Sequence, residues 1–303
     1  MNAQQTLRRA ISCAGIGLHS GRKVTLSLRP APADTGIRFC RSDLGTLEVP
    51  ATVEHVGGFH YATGLMLDAV RVDTVEHLLS AFIGLGIDNV VVELNSPEVP
   101  IMDGSAAPFV YLINTVGIVE QEAPKEFIRV KREMRVTQGD AEAVLTPYDG
   151  FKADYTFVAD HPVYNRYPKI AELDFSSVSY VDEVSRARSF GLVKELEQAQ
   201  SINKCLGSSL ENAVGIDEYS VINDDGLRYQ DEFVKHKLLD VIGDLYLLGR
   251  PILGAFRGFK SGHALNNKLA RALLRCEDAW EISTYDVEQQ PQPIMQPAAL
   301  SAS

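Results

Sequence analysis

His236, Asp240 and Asp244 stand at four-residue steps in Phe233-Val-Lys-His-Lys-Leu-Leu-Asp-Val-Ile-Gly-Asp244, a stretch whose remaining residues follow an apolar helical pattern. On an α-helix, side chains four apart share a face, so an imidazole and a carboxylate project together toward one point and can hold a divalent metal. The earlier stretch Val75-Glu-His-Leu-Leu-Ser-Ala-Phe-Ile-Gly84 overlays Val234–Gly243 with the Val, the His, the following Leu, the Ile and the Gly matched. It sets His77 where the later stretch has His236, and Ala81 where it has Asp240. One ligand from the first copy and two from the second make three, the number a catalytic zinc site takes from protein while one position stays open for water. Taken alone, His236 and Asp240 read as a surface pair; the repeat and Glu76 are what bring in the metal reading. Glu76, directly before His77, is placed to deprotonate an attacking water, or is an ordinary exposed helix glutamate.

Lys260-Ser-Gly-His-Ala-Leu-Asn-Asn-Lys268 sets His263 after a glycine at the start of a helix. A histidine there can act as a general acid, stabilise a developing oxyanion or simply cap the helix. Asp244, one turn beyond Asp240, can orient that imidazole through its second N–H. Gly17-Leu-His-Ser-Gly21 is a glycine-flanked turn that presents His19, and Ser185-Arg-Ala-Arg-Ser-Phe-Gly191 combines two guanidinium groups, a hydroxyl at Ser189 and the Phe190 ring near a helix start. Arginine pairs and helix N-termini favour anions, although ordinary turn chemistry accounts for both stretches equally. Pro100-Ile-Met-Asp-Gly-Ser105 reads as a structural turn, with Asp103 capping the helix that follows.

The elements that must position these groups alternate strands with helices. Apolar–polar alternation over residues 4–30, and again at 37–49 and 65–72, predicts strands. Asp73-Thr74 is a helix cap before Val75–Gly84, which Gly84 and Gly86 end; a strand at Asn89–Leu94 and a helix at Ala106–Gly117 follow. Gln121-Glu-Ala-Pro-Lys125 has the composition of an interdomain linker. Beyond it come strands at Phe127–Val136, Ala141–Pro147 and Phe151–Val158, helical patterns at Phe190–Gln200 and Asp231–Leu248, a strand at Ile252–Phe256 and a helix at Ala264–Cys276. Each half reads strands, helix, strand, helix: an α+β fold by internal duplication, with helices on an antiparallel sheet. The divisions are 1–124, 125–280 and a segment 281–303 whose Gln/Pro/Ala/Ser-rich run from Val287 to Ser303 has the composition of a disordered tail.

A chain of 303 residues suits two domains, and 45% hydrophobic with 23% charged residues supports a packed core. The net charge of −11 argues against a nucleic-acid partner. Four scattered cysteines, Cys13, Cys40, Cys205 and Cys276, with no Cys-x-x-Cys spacing, suggest a reducing compartment and no thiolate metal site. The first ten residues lack the apolar stretch of a signal peptide, and no run is long enough to span a bilayer, so the expected address is the cytosol.

Gly17-Leu-His-Ser-Gly21, Thr74-Val-Glu-His-Leu78, Pro100-Ile-Met-Asp-Gly-Ser105, Ser185-Arg-Ala-Arg188, Asp231-Glu-Phe-Val-Lys-His-Lys237, Leu239-Asp-Val-Ile-Gly-Asp244 and Ser261-Gly-His-Ala-Leu-Asn-Asn267, in that order, resemble the zinc-dependent UDP-3-O-acyl-N-acetylglucosamine deacetylases of Gram-negative bacteria. The seven motifs cover nearly the whole chain except the tail. The resemblance implies two α+β sandwich domains with helical layers face to face and Zn2+ between them. It implies His77, His236 and Asp240 as ligands, Glu76 as general base, His263 as the charged acid supported by Asp244, and Ser189 as oxyanion donor where relatives carry a threonine. It further implies Phe190, Lys237, His19 and Lys260 as substrate contacts, and a βαβ insert at Leu192–Ile222, with Leu196, Ile202, Leu206, Leu210 and Val214, as an apolar passage for an acyl chain; core packing is the plain alternative for those apolar residues. Ala159 stands before the Asp160-His-Pro162 turn where relatives place an aromatic against uracil. The implied activity is removal of acetate from the 2-acetamido group of an acylated UDP-glucosamine, the committed step of lipid A synthesis, by a monomer. Two other readings are a metal-free hydrolase with a His236–Asp240 base, and a non-catalytic nucleotide-sugar sensor with structural zinc.

Overall fold

The computed structural model describes residues 2–59, 62–175 and 180–284. The first unit runs β1 (Ala3–Leu7), β2 (Ile11–Ile16), β3 (Lys23–Pro30), β4 (Ile37–Arg41), β5 (Glu48–Pro50), β6 (Val56–Gly58), β7 (Gly64–Leu67), β8 (Val70–Val72), α1 (Glu76–Leu85), β9 (Val90–Leu94), α2 (Ala107–Val116) and β10 (Ile118–Pro124). The second runs β11 (Glu126–Val130), β12 (Met134–Gln138), β13 (Ala141–Thr146), β14 (Phe151–Thr156), β15 (Ile170–Asp174), α3 (Tyr180–Glu183), β16 (Phe190–Leu192), α4 (Val193–Ser201), β17 (Val214–Ile216), α5 (Glu232–Tyr246), β18 (Ile252–Phe259), α6 (His263–Arg275) and β19 (Trp280–Thr284).

The strands follow a period of two. Val24, Leu26 and Leu28 on β3, Val90, Val92 and Leu94 on β9, and Phe151, Ala153 and Tyr155 on β14 point inward and are buried, while the residues between them are more exposed. The central sheets repeat one plan. The first has the order β2-β3-β9-β4-β5 and the second β12-β13-β18-β14-β15, with the same sense at every pairing. In each, the strand that follows the long helix enters the middle of the sheet, parallel to its neighbour β4 or β14. The sheets are therefore mixed and not antiparallel, because a helical crossover returns the chain in the direction it left.

Each unit carries an extra piece just before its central helix: β6-β7-β8 in the first, β16-α4-β17 in the second. The latter is a parallel βαβ unit, so the segment from Phe190 begins as a strand and turns helical only at Val193. The central helices α1 and α5 pack against each other, and every residue of α1 is buried. That contact is close because Gly243 of α5 lies on the backbone of α1: a Cβ there would stand 2.0 Å from the Glu76 carbonyl oxygen.

Three expectations are revised. Gln121–Pro124 is not a linker but part of β10, antiparallel to β1, and Lys125 is buried beside Asp88 with Nζ–Oδ2 at 3.0 Å. Residues 281–284 complete β19, paired with β11; the expected disorder from Val287 onward lies outside the described residues. Asp73 and Thr74 do not cap α1, whose first turn has no side-chain cap; the Thr74 hydroxyl donates to Glu98 instead. Among the described residues no helix is long and apolar enough to cross a membrane.

Candidate active site

His77 lies in the first turn of α1, and His236 and Asp240 lie one turn apart on α5. The α1–α5 contact brings all three together, each at most 4% exposed, with one ligating atom apiece within 4.8 Å of the others. Asp240 Oδ1 is 3.4 Å from His77 Nε2 and 3.5 Å from His236 Nε2. Donors about 2.0–2.1 Å from a tetrahedral ion are spaced about 3.3 Å apart, so these separations suit one. Oδ1 is buried without a hydrogen-bond partner, which a folded protein rarely tolerates unless something else fills the position. His236 is oriented by its Nδ1, 3.0 Å from the Ala187 carbonyl, leaving Nε2 turned to the cluster. Burial pushes its pKa down to about 3 against the pull of Asp240, so the ring is neutral and can offer a lone pair. Burial opposes ionisation of Asp240, yet its pKa lies well below the usual carboxylate range, with the Lys237 ammonium, Nζ 2.8 Å from Oδ2, as its charged partner. The residues present therefore fit a metal such as zinc.

Beside this cluster, Glu76 and His263 face each other with Oε1 and Nε2 3.9 Å apart. Burial raises the Glu76 pKa, only partly offset by His263 and His77. His263 Nδ1 is 2.9 Å from Asp244 Oδ2. Burial alone would lower His263, yet the charge and hydrogen bond of Asp244, with Glu76 and Asp240 behind them, raise its pKa to about 10. His263 is thus positive at neutral pH while Glu76 stands next to it, an acid and a base on opposite sides of a short gap.

The cluster opens into a cavity of about 460 Å³, a size typical of small-molecule sites. His19, Ser189, Phe190 and Lys237 line it. Phe190 is fixed edge-on by Phe157, Tyr164, Phe233 and His236, with centroids 4.9–5.9 Å away, and Lys237 Nζ sits 5.5 Å above its ring. The Ser189 hydroxyl faces the cavity but donates to the Asn212 carbonyl at 2.9 Å, so it must exchange that bond to serve an oxyanion. The far wall is the insert, with Leu196, Ala199, Leu210, Val214 and Ile222 giving an apolar bore in which Leu210 is half-exposed, while Ile202 and Leu206 are exposed and do not line it. Lys260 is not in this cavity; it lines an adjoining depression that meets the first only at His263, and it bonds to Asp140. Ala159 packs against the core, and the Asp160-His-Pro162 turn lines neither cavity.

Three partners of these residues are not singled out by the sequence patterns. Thr63 donates its hydroxyl to Asp244 Oδ1 at 2.6 Å and its backbone N–H to Glu76 Oε2 at 3.1 Å, tying Glu76 and Asp244 together. Asn266 donates to Asp244 Oδ2 at 2.9 Å; its spacing of three from His263 on α6 places both on one face and marks it in retrospect. The Ala187 carbonyl that orients His236 carries no side-chain signature.

The family model described as UDP-3-O-acyl N-acetylglycosamine deacetylase matches residues 4–275. The UDP-3-O-acyl-N-acetylglucosamine deacetylase of Marinobacter nauticus is 56% identical over 289 residues, covering 95% of each chain. That of Chromohalobacter salexigens is 55% identical over 295 residues, 97% of each chain, and that of Hahella chejuensis 54% over 287 residues, 94% of this chain and 95% of its own. The apolar bore beside a His–His–Asp cluster thus comes with full-length sequence likeness, and the chain belongs to the UDP-3-O-acyl-N-acetylglucosamine deacetylase family.

Proposed function

We propose that this protein is a cytosolic, zinc-dependent deacetylase that hydrolyses the 2-acetamido group of an acylated UDP-N-acetylglucosamine and releases acetate, the step its relatives' names describe. The observation that carries the reading is the orphaned Asp240 Oδ1 beside two imidazole Nε2 atoms at the mouth of an apolar bore. His77, His236 and Asp240 would hold zinc, which when bound polarises the amide carbonyl and acidifies the attacking water. Glu76 takes the proton of that water. His263, kept positive by Asp244, hands a proton from Nε2 to the departing amine and, with the Ser189 hydroxyl, balances the negative charge that develops on the carbonyl oxygen. Phe190 packs against the sugar, Lys237 and His19 hold polar groups, and Lys260 contributes from the adjoining depression, which suits the nucleotide end.

A metal-free His236–Asp240 base is less well supported. His236 has one ring nitrogen on the Ala187 carbonyl and the other turned to Asp240, so neither is directed at a substrate water. The decisive assay is acetate release from acylated UDP-N-acetylglucosamine with chelator and after zinc add-back. Activity should vanish and return; activity that survives exhaustive chelation sinks the metal reading. Glu76→Ala and His263→Ala should each lose orders of magnitude in kcat while binding one zinc, and near-normal turnover in either removes that residue from the mechanism.

A further inference from the structure

Glu98 is 2% exposed, and its carboxylate meets four donors. Oε1 accepts from the His19 N–H at 2.8 Å and the Thr74 hydroxyl at 3.1 Å; Oε2 accepts from the Ser20 N–H at 3.0 Å and the Ser20 hydroxyl at 2.8 Å. These donors come from two places that both reach the cavity. One is the Gly17–Gly21 turn, whose Leu18 and His19 line it; the other is Thr74, also a lining residue, two positions before Glu76. Thr74 has φ of 60°, a left-handed conformation that a β-branched residue adopts only when its surroundings impose it. The turn in turn anchors the insert: Leu206 N–H donates to the His19 carbonyl at 3.1 Å and Gly207 N–H to the Leu18 carbonyl at 2.9 Å. The fit is close, since a Cβ at Gly17 would lie 2.3 Å from Glu98 Oε2.

We propose that Glu98 is a positioning residue that holds the 17–21 turn, the Thr74 kink and the insert loop at 206–207 as one wall, and thereby sets affinity for the acylated substrate without setting the rate of bond cleavage. The chemistry requires a carboxylate. Four donors demand an acceptor on both oxygens, and an amide presents N–H groups to one pair of them. The hydrogen bonds of Glu98, to His19, Ser20 and Thr74, share no residue with those of Asp244, to Thr63, His263 and Asn266.

The choice of substrate rests on the deacetylase reading; the wall itself is tested without it. In zinc-loaded full-length protein, Glu98→Gln should speed amide hydrogen exchange at 17–21 and 205–207 by about tenfold or more while α5 keeps its protection and one zinc stays bound. For long-acyl UDP-N-acetylglucosamine, KM should rise about tenfold with kcat within about threefold, the signature of lost uniform binding. Unchanged exchange in these segments, or a fall in kcat at constant KM, overturns the proposal. Should Glu98→Gln fail to fold, Ser20→Ala removes one of the four bonds together with the Arg22 N–H bond to the same hydroxyl; it should speed exchange at 17–21, and unchanged exchange there overturns the proposal equally. If the unmodified protein releases no acetate, the substrate reading fails while the exchange result still decides the wall.

Discussion

Gly243→Ala is the sharpest test of how the two units build one site. The added Cβ would stand 2.0 Å from the carbonyl oxygen of Glu76 and 2.8 Å from its carbonyl carbon, where ordinary contact begins at 3.4 Å. The obstacle is backbone inside a helix, which cannot rotate away, so α1 and α5 must part by more than about 1 Å at this point. Overpacking of this kind costs about 1–3 kcal/mol or more. On the zinc reading proposed above, the larger effect falls on the metal. His236 and Asp240 share α5 and keep their spacing, but His77 rides on α1 and moves with Glu76. Metal–ligand distances tolerate only about 0.2 Å, so His77 is detached and zinc affinity should fall about 100-fold. Competition against a chromophoric chelator measures this, with urea unfolding of the metal-free protein giving the packing cost separately. Gly84→Ala is the control, because the three atoms nearest its Cβ, at 2.2–2.9 Å, all belong to the Tyr180 ring. It should destabilise the fold yet leave zinc affinity within a few-fold. A folded Gly243→Ala protein with normal zinc affinity, or a Gly84→Ala protein that loses as much, refutes the reasoning.

Asp244→Asn removes the charge that lifts His263, so the His263 pKa must drop from about 10 and its proton is lost at lower pH; the alkaline limb of the kcat/KM profile should shift downward, and an unmoved limb would separate Asp244 from the acid. Glu232→Ala leaves the Arg188 guanidinium, 2.9 Å from Glu232 Oε1 with both side chains buried, without its main partner, and should lower unfolding free energy by about 3–5 kcal/mol in urea titration; a loss below 1 kcal/mol would show that Asp225 suffices. Ala199→Phe blocks the apolar bore and should raise KM for long-acyl substrate at least about tenfold while a short-acyl analogue is little affected; equal loss on both would place the chain elsewhere.

The central helices and inward strands were legible because their signals are local. The His–x–x–x–Asp step and the apolar phase of Phe233–Asp244 fall on one stretch of chain, and β3 and β14 alternate in plain view. What escaped depends on partners far along the sequence. Gln121–Pro124 has the polar composition of a linker, yet its backbone pairs with β1, more than a hundred residues away, and strand pairing needs no apolar side chain. Phe190–Leu192 reads as the start of a helix but is drawn into a ladder with Val214–Ile216. Thr74 has the chemistry of a cap and uses its hydroxyl on Glu98 instead. Thr63 carries no motif at all; its importance comes only from the fold, which sets it between Glu76 and Asp244.

The three-donor cluster also has a packing explanation. Overlaying Val75–Gly84 on Val234–Gly243 pairs Glu76 with Lys235, Leu78 with Lys237 and Ala81 with Asp240. In α5 these positions are polar: Lys235 reaches Asp231 and Glu183, and Lys237 neutralises Asp240. In α1, Leu78 and Ala81 are fully buried in the hydrophobic core. A carboxylate at position 81 would have no counterpart to Lys237, and an unpaired buried charge costs several kcal/mol. The same helical frame can therefore carry a second histidine but not a second Asp. Beside the cluster, α1 instead supplies Glu76, held by the Thr63 N–H and facing His263. A symmetric repeat would give four donors and a closed site; the asymmetry leaves three donors with Glu76 and His263 facing each other beside them, which is the geometry the proposed hydrolysis needs.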